Sequence, residues 1–201
     1  MRLKYVSLIV LVIVFFKVTE TYSQNLKDLS GKESDTLIIW TKDRKLTWSD
    51  FQSKKGTINF EGAQSATSTM LIPFLSKDNI YYYKILAGFF KNKSWVDSVY
   101  TEDFILKHEQ IHFDIAELFA RKMRKEVNNL KLKDEILLPA DYRLIHDKFY
   151  ILYKDYQNEY DLETDHAKIY KMQKKWEEKV AKELDELEEY SLKGIDCKSN
   201  N

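Results

Sequence analysis

Thiol chemistry is almost absent from this 201-residue chain: its single cysteine, Cys197, stands in a polar C-terminal stretch. No internal disulfide can form, whatever the redox state of the compartment, and a thiol so placed suggests neither a metal ligand nor a nucleophile. Net charge is missing too, since 32 Lys and Arg offset 32 Asp and Glu. No overall field draws the chain to nucleic acid, and no basic block is interleaved with aromatic residues, so nucleic acid is not expected as a partner. The apolar run near the N terminus, Leu8 to Phe16, is too short to span a bilayer comfortably. No cysteine lies between residues 15 and 24 to receive a lipid, and no internal repeat is visible.

Arg2 and Lys4 precede that apolar run, and Thr21-Tyr22-Ser23 places small residues where a signal peptidase inspects the chain. Residues 1–23 therefore read as a secretory signal peptide cleaved near Ser23. The rival, an uncleaved membrane anchor, is disfavoured because Lys17 and Glu20 end the apolar stretch early. The expectation is an exported protein, periplasmic or secreted, with no stable membrane insertion after cleavage. Residues 24–35 read as a flexible lead-in, 36–195 as one domain and 196–201 as a polar tail.

The fold class expected is α+β. Leu37 to Trp40, Ala66 to Leu75 and Ile80 to Phe90 are short stretches that alternate or are rich in β-branched and aromatic residues, the pattern of strands. Ser76-Lys77-Asp78-Asn79 supplies turn residues for an antiparallel hairpin between the last two. After Tyr100 the period becomes helical. Thr101 is the expected N-cap of a helix running to Asn128-Asn129, and Pro139 opens a second. A third helix is expected to start between Asp161 and Thr164, with Ile169, Met172, Trp176, Val180, Leu184 and Leu187 as its apolar stripe and Gly194 as its stop. A small, mainly antiparallel sheet would pack on the first helix.

The chemistry is concentrated in His108-Glu109-Gln110-Ile111-His112. A spacing of four puts both imidazoles on one helix face, where they can share a metal ion, and half of the chain's four histidines are here. Zn2+ suits two neutral imidazoles and a third nitrogen or oxygen ligand with one position open. Glu109, on the adjoining side, would act as general base. Two histidines on a helix can also be ordinary core or surface residues; Ile105, Ile111, Ile115, Ala116 and Phe119 make this helix apolar enough to turn them toward an interior cleft.

The third ligand is sought in Tyr160-Asp161-Leu162-Glu163-Thr164-Asp165-His166. His166 is the first choice and Glu163, three residues before it, the runner-up, while Asp161 and Asp165 could orient histidines from behind. The bland alternative is a capped helix start with solvated acids. His146 reads as structural. Asp114 is turned away from His112, and an ordinary intrahelical charge network accounts for it together with Glu117 and Arg121. Tyr156 and Tyr160 read as packing residues before oxyanion donors.

These residues resemble a family of exported bacterial proteins of unknown function described as candidate zinc-dependent proteases of the zincin type. The resemblance is carried by Leu46-Thr47-Trp48-Ser49-Asp50-Phe51, Ser65-Ala66-Thr67, Ser94-Trp95, the segment from His108 to Asp114 with Ala116-Glu117 and Arg121, and Tyr160 to His166 with Gln173 and Trp176. It implies a zincin-like fold and marks His166 and Asp161 as functional. The chain departs from the family pattern at Ala167, where glycine is usual. The leading expectation is a metallopeptidase acting on a peptide or protein substrate that pairs with the strand near residues 80–90. The alternatives are a non-catalytic exported binding module, suggested by Tyr81, Tyr82 and Tyr83, and a metal-dependent hydrolase of a non-peptide amide.

Overall fold

The structure, a computed structural model, describes residues 33–54, 62–75, 81–133 and 137–192. The expected signal peptide, most of the expected lead-in, the expected turn at 76–79, Gly194 and residues 196–201 lie outside the described residues. Five strands precede three helices: β1 (Leu37–Ile39), β2 (Ala63–Gln64), β3 (Thr67–Leu75), β4 (Tyr81–Phe90), β5 (Trp95–Val96), α1 (Asp103–Lys131), α2 (Pro139–Thr164) and α3 (Tyr170–Glu186). The fold is α+β, as the change of period at Tyr100 requires. No helix of the described residues is long and apolar enough to cross a membrane.

Two antiparallel sheets form. One has the order β1-β4-β3 and the other pairs β2 with β5. The central strand β4 has Leu37 opposite Phe90 on one side and Thr67 opposite Phe89 on the other. β3 pairs along nearly the whole of β4, whereas β1 pairs only with Gly88, Phe89 and Phe90 of it, so strand addition, which needs an unpaired edge, has room only beside the first part of β4 on the β1 side. Pro73 lies on β3, an edge strand, where a missing ladder donor is tolerated. Tyr83 is half-buried with its ring 5.1 Å from that of Tyr142, so it is not the exposed aromatic the sequence suggested.

α1 is buried over much of its length because it has neighbours on several sides: β3 and β4, then α2 and α3. Phe113, Ile115, Leu118 and Met123 are fully buried on it, and Phe113 meets Phe89 of β4. Its cap is Glu102, not Thr101, whose carbonyl instead accepts the Trp48 indole N–H at 2.9 Å. Leu46 N–H donates to Gln110 Oε1 at 2.8 Å, so the Leu46–Phe51 segment is fastened to the first half of α1.

The intrahelical pair expected between Glu117 and Arg121 forms, at 3.0 Å, and it is buried. Glu117 also takes Arg124, and the two guanidiniums reach the carbonyls of Leu184, Tyr190 and Ile85. Asp114 is bonded instead by Trp40 and Gln110, and burial pushes its pKa up. The Glu117 network ties the C-terminal turn to α1 and β4. Glu117→Ala, which leaves two buried guanidiniums short of their counter-charge, is expected to lower stability by about 3–5 kcal/mol in urea unfolding.

The third helix also begins later than its sequence pattern suggests. α2 continues through Asp161 and Glu163 to Thr164, so this stretch is a helix end, not a start. Asp165, His166 and Ala167 then take positive φ of 46°, 50° and 72°, turning the chain into α3. Ala167, with its φ of 72°, carries a steric cost there that glycine would not.

Candidate metal centre

Three side chains converge where α2 crosses α1. His108 Nε2 lies 3.1 Å from Asp161 Oδ1, His112 Nε2 lies 3.0 Å from the same oxygen, and the two Nε2 atoms are 3.2 Å apart. A tetrahedral zinc site with bonds of ~2.0–2.1 Å has ligand edges of roughly 3.3–3.4 Å, close to this triangle. Two ring nitrogens directed at one carboxylate oxygen can each donate an N–H to it or, with Nε2 deprotonated, share a metal ion with it. His108, His112 and Asp161 form a group that could hold a metal ion.

The surroundings decide how each ligand is held. Gln157, one turn before Asp161 on α2, donates from Nε2 to the His112 carbonyl at 2.9 Å and accepts from His112 Nδ1 through Oε1. This fixes the proton of His112 on Nδ1 and turns the Nε2 lone pair to the shared point. His108 stacks on the buried ring of Tyr160 at 4.5 Å, while its Nδ1 is buried without a partner. Burial lowers the pKa of His108, only partly opposed by Asp161. Burial also pushes His112 down, but the hydrogen bond and charge of Asp161 and the charge of Glu109 outweigh it and raise the pKa to about 8. Burial would raise Asp161, yet the two histidines hold it well below the usual carboxylate range. Burial first, then the charges of Glu109 and Asp161, push the Tyr160 phenol up, so it stays protonated.

Glu109 is buried beside the histidines. Its Oε2 accepts both the backbone N–H of Ser65, at 2.7 Å, and the Ser65 hydroxyl, whereas its Oε1 takes no bond from a described residue. The Ser65 segment is itself fixed. Ser94 Oγ accepts from Ala66 N–H at 2.9 Å and donates to the Phe90 carbonyl, and the Trp95 indole donates to Gln64. A cavity of ≈ 850 Å³ opens on this face, lined by Gly62–Thr67, His108, Glu109, His112, Gln157 and Asp161.

Residues 92–167 match a family described as "Bacterial protein of unknown function (DUF922)". This agrees with the resemblance in being bacterial and without assigned function, and the matched span holds both histidines, Glu109, Asp161 and His166. No curated protein and no solved structure matches the chain.

The sequence-based site residues thus divide. His108, His112 and Glu109 stand together as their spacing requires. Asp161, expected behind the ligands, directs an oxygen into the triangle. His166, the first choice for third ligand, adjoins it on the cavity wall, its Nδ1 3.7 Å from Asp161 Oδ1. Glu163 accepts the Trp176 indole N–H at 2.8 Å, and Asp165 pairs with Lys168. His146 lies against Thr69 of β3, apart from the cluster. Gln157 escaped the sequence reading, although its spacing of four from Asp161 places the two on one face of α2.

Proposed function

We propose that the chain is an exported zinc-dependent metallopeptidase in which His108, His112 and Asp161 bind the metal and Glu109 is the general base. The convergence of His108, His112 and Asp161 beside a carboxylate aimed by Ser65 is the observation that carries this reading. Zinc, when bound, would supply a Lewis acid that makes water nucleophilic near neutral pH. Glu109 keeps Oε1 free to accept a proton from the attacking water and return it to the leaving nitrogen, while the Ser65 bonds hold Oε2 still. Tyr160 keeps the His108 ring from tilting, and Gln157 does the same for His112.

The stretch from Gly62 to Thr67 forms one wall of the cavity. Asp97 N–H donates to the Gly62 carbonyl, so in this antiparallel pair Gly62 faces β5 and the backbone of Ala63 faces the other way. That edge adjoins the cavity directly and is the place where an extended peptide would align beside Glu109. A second reading keeps support from His166: were its ring to join the three ligands, the shell would close at four and suit a structural metal in a binding module. A non-peptide amide would be cleaved by the same groups and is separated only by substrate.

The test is hydrolysis of a mixed peptide library by residues 24–201, read by mass spectrometry before chelation, after it and after zinc is restored. Cleavage lost and regained with zinc is expected; one bound zinc with no peptide cleaved would overturn the peptidase reading in favour of the other two. The pKa of about 8 adds a pH signature. Below it the metal-free His112 carries a proton that zinc must displace, so zinc affinity should fall as pH drops from 8 toward 6, with proton release detected by titration calorimetry in two buffers. For the metal-free fold the sign is opposite: His112 contributes stability in full below the ordinary histidine value of 6.5 and loses it as pH rises through about 8.

A further inference from the structure

Two side-chain atoms among the described residues are buried without any hydrogen-bond partner, and they are complementary: His108 Nδ1 and Gln173 Oε1. An unpartnered buried polar atom is costly, so two in one region require an explanation. Gln173 lies on the first turn of α3 and is itself buried; its Nε2 donates to the carbonyl of Phe104 at 2.9 Å. Phe104 is one helical turn before His108, and side chains on a helix lean back toward the preceding turn. The Gln173 amide is therefore anchored on the turn over which the His108 ring lies.

The other histidine supplies the pattern. Gln157 anchors its Nε2 on a carbonyl of α1 and uses Oε1 to accept His112 Nδ1–H. Gln173 makes the first of these bonds from a different helix, one turn before His108, and its Oε1 is buried without a partner, as is the His108 Nδ1. A histidine bound to a metal through Nε2 carries its proton on Nδ1 and almost always donates it. We propose that Gln173 is the positioning residue for His108: its Oε1 accepts the His108 Nδ1 proton, directly after a small side-chain rotation or through one buried water, whenever Nε2 engages the metal. This rests on the metal reading above. It makes α3, which lies beyond the matched residues 92–167, part of the centre.

The experiment compares the zinc-loaded wild type with Gln173→Leu and Gln173→Glu. Both variants lose the donor to Phe104, but only the glutamate keeps an acceptor, so their difference isolates the Oε1 contribution. Zinc affinity is read by competition with a chromophoric chelator, and the His108 tautomer and proton exchange by long-range ¹H–¹⁵N NMR of the imidazoles. The leucine variant should bind zinc about 10–100-fold more weakly and exchange its His108 Nδ1 proton rapidly, while the glutamate variant recovers affinity and protection. Equal affinity and equal proton protection in wild type and leucine variant would overturn the proposal while leaving the metal centre intact. So would a His108 that binds zinc through Nδ1. Should the leucine variant not fold, a rapidly exchanging His108 Nδ1 proton in the wild type would overturn it and a protected one lost to exchange in neither glutamate variant nor wild type would support it. A wild type that takes up no zinc removes the metal reading itself, and this inference with it.

Discussion

Glu109→Gln is expected to lower hydrolysis by about 10²- to 10⁴-fold while one zinc per chain stays bound, because the amide cannot accept a proton. Glutamine is nearly isosteric and its oxygen can still take the two Ser65 bonds that Glu109 Oε2 takes now. The cavity wall should therefore keep its shape, and the loss should fall on kcat with little change in KM. Peptide turnover measured beside metal content separates the chemical role from a structural one. A variant that cleaves at the wild-type rate would remove Glu109 from the mechanism, and one that loses both zinc and turnover would show that the carboxylate supports the metal site instead.

Asp161→Ala carries the second large effect. If Asp161 is one of the three protein ligands, as proposed, its removal should weaken zinc binding by more than the roughly 10–100-fold that follows from losing a partner one step behind a ligand. His166→Ala should leave zinc bound, since its Nδ1 stands 3.7 Å from the Asp161 oxygen and outside the triangle of ligand atoms. Metal analysis of the two purified variants decides between them. Zinc lost with His166 and kept with Asp161 would restore the imidazole as third ligand and return the aspartate to an orienting place behind it.

The ambiguity between these two residues has a definite source. Asp161 and His166 are only five positions apart, and which of them faces α1 depends on where α2 stops. The apolar pattern after Asp161 suggested a new helix, yet α2 runs on to Thr164 and the left-handed turn at Asp165, His166 and Ala167 redirects the chain. With that turn three residues later, Asp161 shares a helix face with Gln157 and is carried inward, while His166 is left on the rim. The stripe assigned to α3 shows the same effect on a smaller scale. Trp176, Val180, Leu184 and Leu187 are buried as their spacing requires, but at its N-terminal end the buried residue is Gln173, and Ile169 is exposed. A buried glutamine gives no hydrophobic signal, so periodicity alone passes over it. The Glu117–Arg121 pair follows from its spacing of four, but its burial with Arg124 and the bonding of Asp114 by Trp40 do not, because charge at helical spacing looks the same whether solvent or a second element covers it.

What the sequence by itself determined is what repeats locally along the chain: the change from strand to helix after Tyr100, the hairpin strands, and the shared face of His108 and His112, which follows from 3.6 residues per turn. Only the tertiary structure decided which groups reach across to that face. Asp161 and Gln157 arrive from α2, Ser65 from the segment joining β2 to β3, and Gln173 from α3, because burying Phe113, Tyr160 and Trp176 together sets how these elements cross, and no local spacing encodes that.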